Sequence, residues 1–145
     1  MAQAKVQMSQ LVAKYIMELR NRQPRGPYNL GGWSAGGICA FEASRQLQEA
    51  GEVVQSLILI DSPNPIGLQN PPARIPEMKP NDPREMIWLI NNRTDFAADG
   101  WASLVGREKL TVEVLDNVNH FTMMDRGPEM STMSSYIRRS LSSQV

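Results

Sequence analysis

Residues 30–37 read Leu-Gly-Gly-Trp-Ser-Ala-Gly-Gly, and this stretch decides the fold of the chain. Within it, Gly32 to Gly36 form a G-x-S-x-G pattern, which is typical of a serine held in a tight turn between a strand and a helix. Such a turn strains the serine backbone, and flanking side chains collide with the neighbouring elements, so glycine is expected on both sides of Ser34. Because the pattern is short and recurs by chance, its meaning depends on a strand before it and a helix after it.

The residues on both sides of this stretch meet that requirement. Residues 28–30 predict a short strand that runs into the turn, and the apolar spacing over 35–50 predicts a helix that Gly51 ends. Residues 53–60 read Val-Val-Gln-Ser-Leu-Ile-Leu-Ile, an almost continuous apolar run that is typical of a parallel strand buried on both faces. Strand, helix and strand together predict a βαβ unit.

The remaining segments extend this α/β pattern. Apolar residues at helical spacing predict one amphipathic helix that ends near Arg22 and another from about Pro128 to Leu141. Alternation over 110–115 predicts a third strand, which would place 53–60 in the middle of a small, mostly parallel sheet flanked by helices. A proline-rich link over 63–83, a helix beginning at Asp82 and a short helix ending at Val105 complete the prediction of a single domain over 1–145.

The composition is that of an ordinary globular protein, with 145 residues, 41% hydrophobic and 21% charged. Fifteen basic residues balance fifteen acidic ones, so the charge gives no reason to expect nucleic acid or an anionic membrane as a partner. The single cysteine, Cys39, excludes an internal disulfide, and without a Cys/His cluster no metal is expected. No apolar run is long enough to span a bilayer, so we expect a soluble, cytoplasmic protein.

Three residues of the types that acyl transfer requires follow one another as Ser34, Asp61 and His120. Asp61 ends the second strand, at the sheet edge where the turn places Ser34, and His120 is the only histidine in the chain. Serine, acid and histidine follow in this order in α/β-hydrolases, where the imidazole takes the serine proton and the carboxylate orients the imidazole. On the residues alone, Asp116 and Asp125 stay open as alternatives to Asp61.

Four segments closely resemble the C-terminal thioesterase/Claisen-cyclase domains of fungal non-reducing polyketide synthases: 26–38, 57–63, 92–101 and 119–124. The resemblance implies Ser34 as nucleophile, Asp61 as acid and His120 as base. It also implies that a polyketide passes from the phosphopantetheine of an acyl-carrier protein to the serine and leaves by Claisen cyclisation or hydrolysis. The implied partners are an acyl-carrier protein or a synthase, and no metal or bound redox cofactor is implied.

The chain also departs from that family. Family domains carry strands upstream of the first helix, and a helical lid and a further core strand where this chain has its proline-rich link. We therefore expect a truncated α/β-hydrolase-like fold in which the Ala35 N–H supplies one oxyanion donor, with no evident source for the second. Without a lid to exclude water, hydrolysis is expected to prevail over cyclisation. A small sheet with open edges predicts marginal stability, a homodimer or docking onto missing segments.

Three functions stay open at this point. The first is a minimal thioesterase. The second is a non-catalytic remnant that binds a carrier protein or synthase, and the third is a general hydrolase of small esters.

Overall fold

The structure, a computed structural model, describes residues 2–64 and 100–142. The chain divides into two compact units, one formed by residues 1–63 and 134–145 and the other by residues 64–133. The expectation of a single domain over 1–145 stays a prediction. The proline-rich link beyond Asn64 and the helix predicted from Asp82 lie outside the described residues.

The first unit contains the βαβ arrangement that the sequence predicts. Its elements are helix α1 (Ala2–Arg22), strand β1 (Tyr28–Trp33), helix α2 (Ala35–Glu49) and strand β2 (Val54–Ile60). Strand β1 is longer than predicted because it continues through two glycines to Trp33, so that Ser34 alone separates the strand from α2. The turn thus has the strand before it and the helix after it that the G-x-S-x-G pattern requires.

Strands β1 and β2 pair in parallel, with Leu30 opposite Leu57 and Trp33 opposite Ile60. Helix α2 packs against both strands, and α1 packs against α2. Every residue of β2 is only half-buried. The prediction that this strand is buried on both faces is therefore wrong for the part of the chain that the structure describes.

The core of the first unit forms where α1, β1 and α2 meet. Val12 and Leu47 are fully buried and Tyr28 nearly so, and Ile16 and Ala43 complete the cluster. Burying a side chain of this size stabilises the fold by about 1.5–3 kcal/mol. Gln46 adds a polar link, because its Nε2 donates to both the backbone oxygen and the Oγ of Ser9, each at 3.1 Å.

Helix α2 ends as the sequence predicts. Gly51 has a φ of 79°, a left-handed conformation that favours glycine. The Glu52 N–H donates to the Leu47 oxygen at 2.9 Å and the Gly51 N–H to the Gln48 oxygen at 3.0 Å. This pair of bonds is the Schellman motif, which satisfies the last carbonyls of the helix.

The second unit is largely irregular where it is described. It contains the short helix α3 (Ala102–Val105) and two 3-10 turns, Arg107–Lys109 and Thr122–Met124. Helix α4 (Pro128–Ser142) begins in this unit, and its residues from Ser134 onward belong to the first. The predicted helices ending at Val105 and beginning at Pro128 are both confirmed.

The strand predicted over 110–115 is wrong. These residues form no ladder, although Leu110 has extended dihedral angles (φ −108°, ψ 120°). Alternation produces a strand only where a neighbouring strand supplies hydrogen bonds and cover, and here Val112 and Val114 are exposed. Over residues 2–64 and 100–142 the sheet has two strands rather than three, so β2 is not a central strand there.

Candidate active site

Ser34 occupies the turn between β1 and α2 in a strained conformation, with φ 54° and ψ −128°. Residues other than glycine rarely adopt such backbone angles. The conformation costs about 1–3 kcal/mol and persists only where the surrounding structure imposes it. The Ser34 N–H donates to the Ile60 oxygen at 3.0 Å, which extends the parallel ladder by one residue. The Ser34 carbonyl accepts from the Gly37 N–H at 3.0 Å in the first turn of α2. The nucleophile candidate is therefore held on both sides.

The glycines around Ser34 differ in whether a side chain would fit at their positions. A β-carbon at Gly32 would lie 2.5 Å from the Gly37 nitrogen and closer still to the Gly36 carbonyl, so position 32 requires glycine. A β-carbon at Gly36 would meet nothing within 4 Å, so the prediction that packing demands glycine on both sides is wrong at this position. The second tight position is Gly37, which lies outside the pentapeptide.

Ala35 begins helix α2, where the first N–H groups have no partner inside the helix. No acidic residue lies in this first turn, so no side chain of the turn itself offsets the positive end of the helix dipole. Both features suit the binding of a developing negative charge. The role of Ala35 as an oxyanion donor stays a prediction.

Asp61 follows β2 directly and has a left-handed φ of 43°. Because Trp33 pairs with Ile60, the next residue on each strand, Ser34 and Asp61, emerges at the same edge of the sheet. The structure thus brings together the predicted nucleophile and the predicted acid at the carboxyl ends of two adjacent parallel strands. Ligands of open α/β sheets bind along this edge.

His120 belongs to the second unit and is almost completely buried, 5% exposed. Its ring contacts Phe121 edge to face, with centroids 5.2 Å apart. The Asn119 Oδ1 accepts from the N–H groups of Phe121 and Thr122, and the Thr122 Oγ1 accepts from the Asn119 N–H, all at 2.9 Å. The backbone on both sides of the histidine is therefore fixed by its neighbours.

The predicted site residues are divided between the two units. Ser34, Ala35 and Asp61 lie in the first and His120 in the second, so a triad that includes His120 stays a prediction. The alternative acids, Asp116 and Asp125, are exposed residues of the second unit.

Sequence reasoning missed Ser62, Asn119 and Thr122. Asn119 could have been found, since an Asn side chain commonly accepts hydrogen bonds from backbone N–H groups a few residues further along the chain in turns. For Ser62 the available signal was Gly37, a second consecutive glycine in α2 that the G-x-S-x-G pattern does not require.

Among residues 2–64 and 100–142, no three His, Cys, Asp or Glu side chains are grouped so that they could hold a metal ion. No helix in the same ranges is both long enough and apolar enough to cross a membrane.

The parallel strands, the strained serine and the helix that follows define the fold as that of an α/β-hydrolase. The solved structure of the NocB thioesterase domain, in covalent complex with a fluorophosphonate nocardicin G analogue, is similar to this chain. It has a TM-score of 0.57 and 22% identity, with 92% of this chain and 74% of that chain covered. At this identity the likeness establishes the fold, and the predicted fold class is confirmed.

The sequence model of the thioesterase domain matches residues 2–132, and the chain belongs to this family. The non-reducing polyketide synthase phnA of Penicillium herquei is 38% identical over 209 residues, covering 91% of this chain and 10% of the synthase. Polyketide synthase 1 of Metarhizium brunneum is 34% identical over 195 residues, covering 88% of this chain and 9% of that protein. The predicted resemblance to fungal synthases is confirmed, and the chain spans about a tenth of the length of these relatives.

Proposed function

We propose that the chain is a product-release thioesterase that takes a polyketide from an acyl-carrier protein by forming an acyl ester on Ser34. One observation carries the proposal: a chain of the thioesterase family holds a serine in a strained turn at the start of a helix, beside the carboxyl end of a parallel strand. The similarity to polyketide synthases supports the substrate class and the partner, a carrier protein or synthase.

Acylation forms an ester bond to Ser34, breaks the thioester C–S bond and moves one proton from the serine to the sulfur. The Ser34 Oγ attacks the thioester carbonyl carbon while the imidazole of His120 accepts the hydroxyl proton, and the Asp61 carboxylate stabilises the imidazolium. The Ala35 N–H donates to the carbonyl oxygen as negative charge develops there. When the C–S bond breaks, the pantetheine sulfur takes the proton from His120, which leaves an ester on Ser34. No group is oxidised or reduced in these steps, so no redox cofactor is needed, and His120 rather than a metal ion activates the nucleophile.

Release of the acyl group then follows one of two routes. Water attacks the ester carbonyl and gives a free acid, or an enolate carbon of the same polyketide attacks and closes a ring by a Claisen condensation. In both routes the ester C–O bond to Ser34 breaks, and the Ser34 oxygen takes back a proton from His120. The matched span of the Penicillium synthase, 209 residues, exceeds the 145 residues of this chain, so the synthase has segments inside that span without a counterpart here. Fewer residues to enclose a long substrate leave more water at the ester, and we propose hydrolysis as the main route.

Covalent labelling with a fluorophosphonate tests the nucleophile. In this reaction the serine oxygen forms a bond to phosphorus, fluoride leaves and the base takes the proton. The NocB domain forms a covalent complex with a fluorophosphonate analogue, which supports the choice of probe. We expect one adduct per chain by intact-protein mass, none in Ser34→Ala, and labelling at least about 10²-fold slower in His120→Ala. Ser44→Ala, a buried serine elsewhere on α2, is the matched control and should label normally.

Two results would contradict the proposed acyl-serine mechanism. Labelling that persists in Ser34→Ala rejects Ser34 as the nucleophile. An absence of labelling in the wild-type chain favours a non-catalytic module that binds a carrier protein or synthase.

Turnover of matched substrates tests the substrate class. The same acyl group is offered as a pantetheine thioester and as a simple ethyl ester, and product analysis separates free acid from cyclised product. We expect the thioester to be preferred and free acid to dominate. Equal turnover of both substrates would indicate a general ester hydrolase, and a dominant Claisen product would reject hydrolysis as the main route.

A further inference from the structure

Ser62 is not part of the predicted triad, yet its side chain is 4% exposed and lies against the turn that holds Ser34. It follows Asp61 at the end of β2. Its Oγ lies 3.3 Å from the Gly32 oxygen and 3.4 Å from the Ile60 oxygen, and the hydroxyl donates toward both. Gly32 is two residues before Ser34, and the Ile60 oxygen is the same atom that accepts the Ser34 N–H.

The same side chain also packs on the first turn of α2. A β-carbon at Gly37 would lie 2.5 Å from the Ser62 Cβ and closer still to its Oγ. Ser62 therefore occupies the space that a side chain at position 37 would need. Gly37 is itself buried, and its N–H donates to the Ser34 carbonyl.

One small side chain thus touches the strand before Ser34, the acceptor of the Ser34 N–H and the helical turn after it. We infer that Ser62 is a positioning residue that holds Ser34 in its strained conformation. The backbone angles of Ser34 are of the kind that persist only where the surrounding structure imposes them. Ser62 contacts three groups next to Ser34: the Gly32 oxygen, the Ile60 oxygen and the backbone of Gly37. The value of this positioning for acyl transfer rests on the proposed function.

A positioning role for Ser62 predicts an effect on the backbone of Ser34 that ordinary core packing does not. Loss of a buried hydroxyl from the core lowers the global stability, whichever serine is removed. Loss of a positioning group also changes the local backbone of Ser34. The test must therefore read out Ser34 separately from the melting temperature.

The first measurement is made by NMR on the 145-residue chain. Amide hydrogen exchange of Ser34 reports the bond from its N–H to Ile60, and its Cα and Cβ chemical shifts report its backbone angles. We expect Ser62→Ala to speed Ser34 exchange by about tenfold, beyond any change in global exchange, and to move both carbon shifts. Ser44→Ala removes a hydroxyl that is also buried, 7% exposed, and should leave both readouts at Ser34 unchanged. Wild-type values in Ser62→Ala would overturn the inference.

The second measurement separates the bulk at positions 37 and 62 from the role of the Ser62 hydroxyl. Gly37→Ala forces a methyl group into the Ser62 side chain and should slow fluorophosphonate labelling by at least about tenfold. Adding Ser62→Gly removes both atoms that the methyl group meets, but it also removes the hydroxyl that holds the turn, so the double variant should still label at least about tenfold more slowly than wild type. A folded double variant that regains the wild-type rate would overturn the inference; if the variants do not fold, the exchange measurement on Ser62→Ala decides.

The two measurements separate this inference from the proposed function. A wild-type chain that does not label, while Ser34 exchange still responds to Ser62→Ala, rejects the acyl-serine mechanism and keeps the positioning role. A wild-type chain that labels at Ser34, while Ser34 exchange ignores Ser62→Ala, rejects the positioning role alone.

Discussion

The backbone of Gly32 lies so close to the carbonyl group of Gly36 that no β-carbon fits between them. Gly32 is in β1 and Gly36 is in the first turn of α2, so this contact measures how sharply the chain reverses at Ser34. Close approach of the two glycines brings the start of α2 next to the end of the strand. The serine turn therefore requires that position 32 carries no side chain, whereas position 36 could carry one.

The two glycines should respond differently to alanine. In Gly32→Ala the new methyl group meets backbone atoms that cannot rotate away, so we expect a loss of several kcal/mol in the free energy of unfolding, or failure to fold. In Gly36→Ala the methyl group enters open space inside a helix, where alanine is preferred to glycine by about 1 kcal/mol. Chemical denaturation of both variants checks the contrast. Equal losses at the two positions would contradict it.

Much of the first unit follows from local sequence pattern. Residues 35–50 repeat apolar positions at helical spacing, Gly51 stops the helix, and the apolar run over 53–60 favours a strand. Each of these signals agrees with its neighbours, and the elements appear within a few residues of their predicted ends. The serine turn could be recognised because its steric demand leaves a mark in the sequence, a glycine at position 32.

Other features depend on contacts that sequence pattern does not encode. Residues 110–115 alternate as a strand does, but alternation describes one side of a pair and says nothing about whether a partner lies alongside. The burial of β2 likewise depends on what covers its faces, which its own residues do not specify. Ser62 was missed for the same reason, since its neighbours Gly32 and Gly37 are distant in sequence and its hydroxyl looks like an ordinary turn residue beside Pro63.

The core cluster predicts which leucines matter for stability. Leu47 is fully buried at the meeting point of α1, β1 and α2, whereas Leu11 on α1 is 42% exposed. Leu47→Ala should lower the free energy of unfolding by about 2–5 kcal/mol, because it removes buried methyl groups and leaves a cavity. The matched change Leu11→Ala should cost less than about 1 kcal/mol. Urea titrations of the two variants measure the difference, and similar midpoints would mean that the core is placed wrongly.

The hydrogen bonds of Asn119 predict an effect on activity that exceeds the effect on stability. Asn119→Ala removes the acceptor of two backbone N–H groups beside His120, at an exposed site where a capping bond contributes about 1 kcal/mol. We expect this small loss of stability together with a rate of Ser34 labelling that is at least about tenfold slower. The reason is that the hydrogen bonds that fix the backbone next to His120 are lost, so the imidazole is less well positioned. Asn119→Asp keeps an acceptor oxygen and should restore most of the rate. A labelling rate that falls only in proportion to the unfolded fraction would show that Asn119 is merely structural.

A bidentate ion pair on α2 makes part of the stability depend on pH. Arg45 donates from Nε to one oxygen of Glu42 at 2.9 Å and from Nη2 to the other at 2.8 Å, and it also pairs with Glu49. The hydrogen bonds from Arg45 lower the pKa of Glu42 from 4.5 to about 2, aided by Gln46 and opposed by burial of the carboxylate. The pKa of Arg45 is raised by the same partner.

Acid should therefore destabilise the chain in a window that Glu42 sets. In the unfolded chain this carboxylate binds its proton near pH 4.5, and in the folded chain only near pH 2, so its contribution is complete above pH 4.5 and disappears as the pH falls toward 2. Arg45 is 46% exposed, and solvent screening reduces the expected contribution to about 1 kcal/mol. Glu42→Gln should lose that amount at pH 7 and show a flatter fall in the free energy of unfolding between pH 5 and pH 3. The control Glu18→Gln breaks the more exposed pair with Arg22 and should lower the free energy of unfolding at pH 7 by less than Glu42→Gln does. Parallel pH curves for wild type and Glu42→Gln would show that Arg45 does not hold this carboxylate in its charged form.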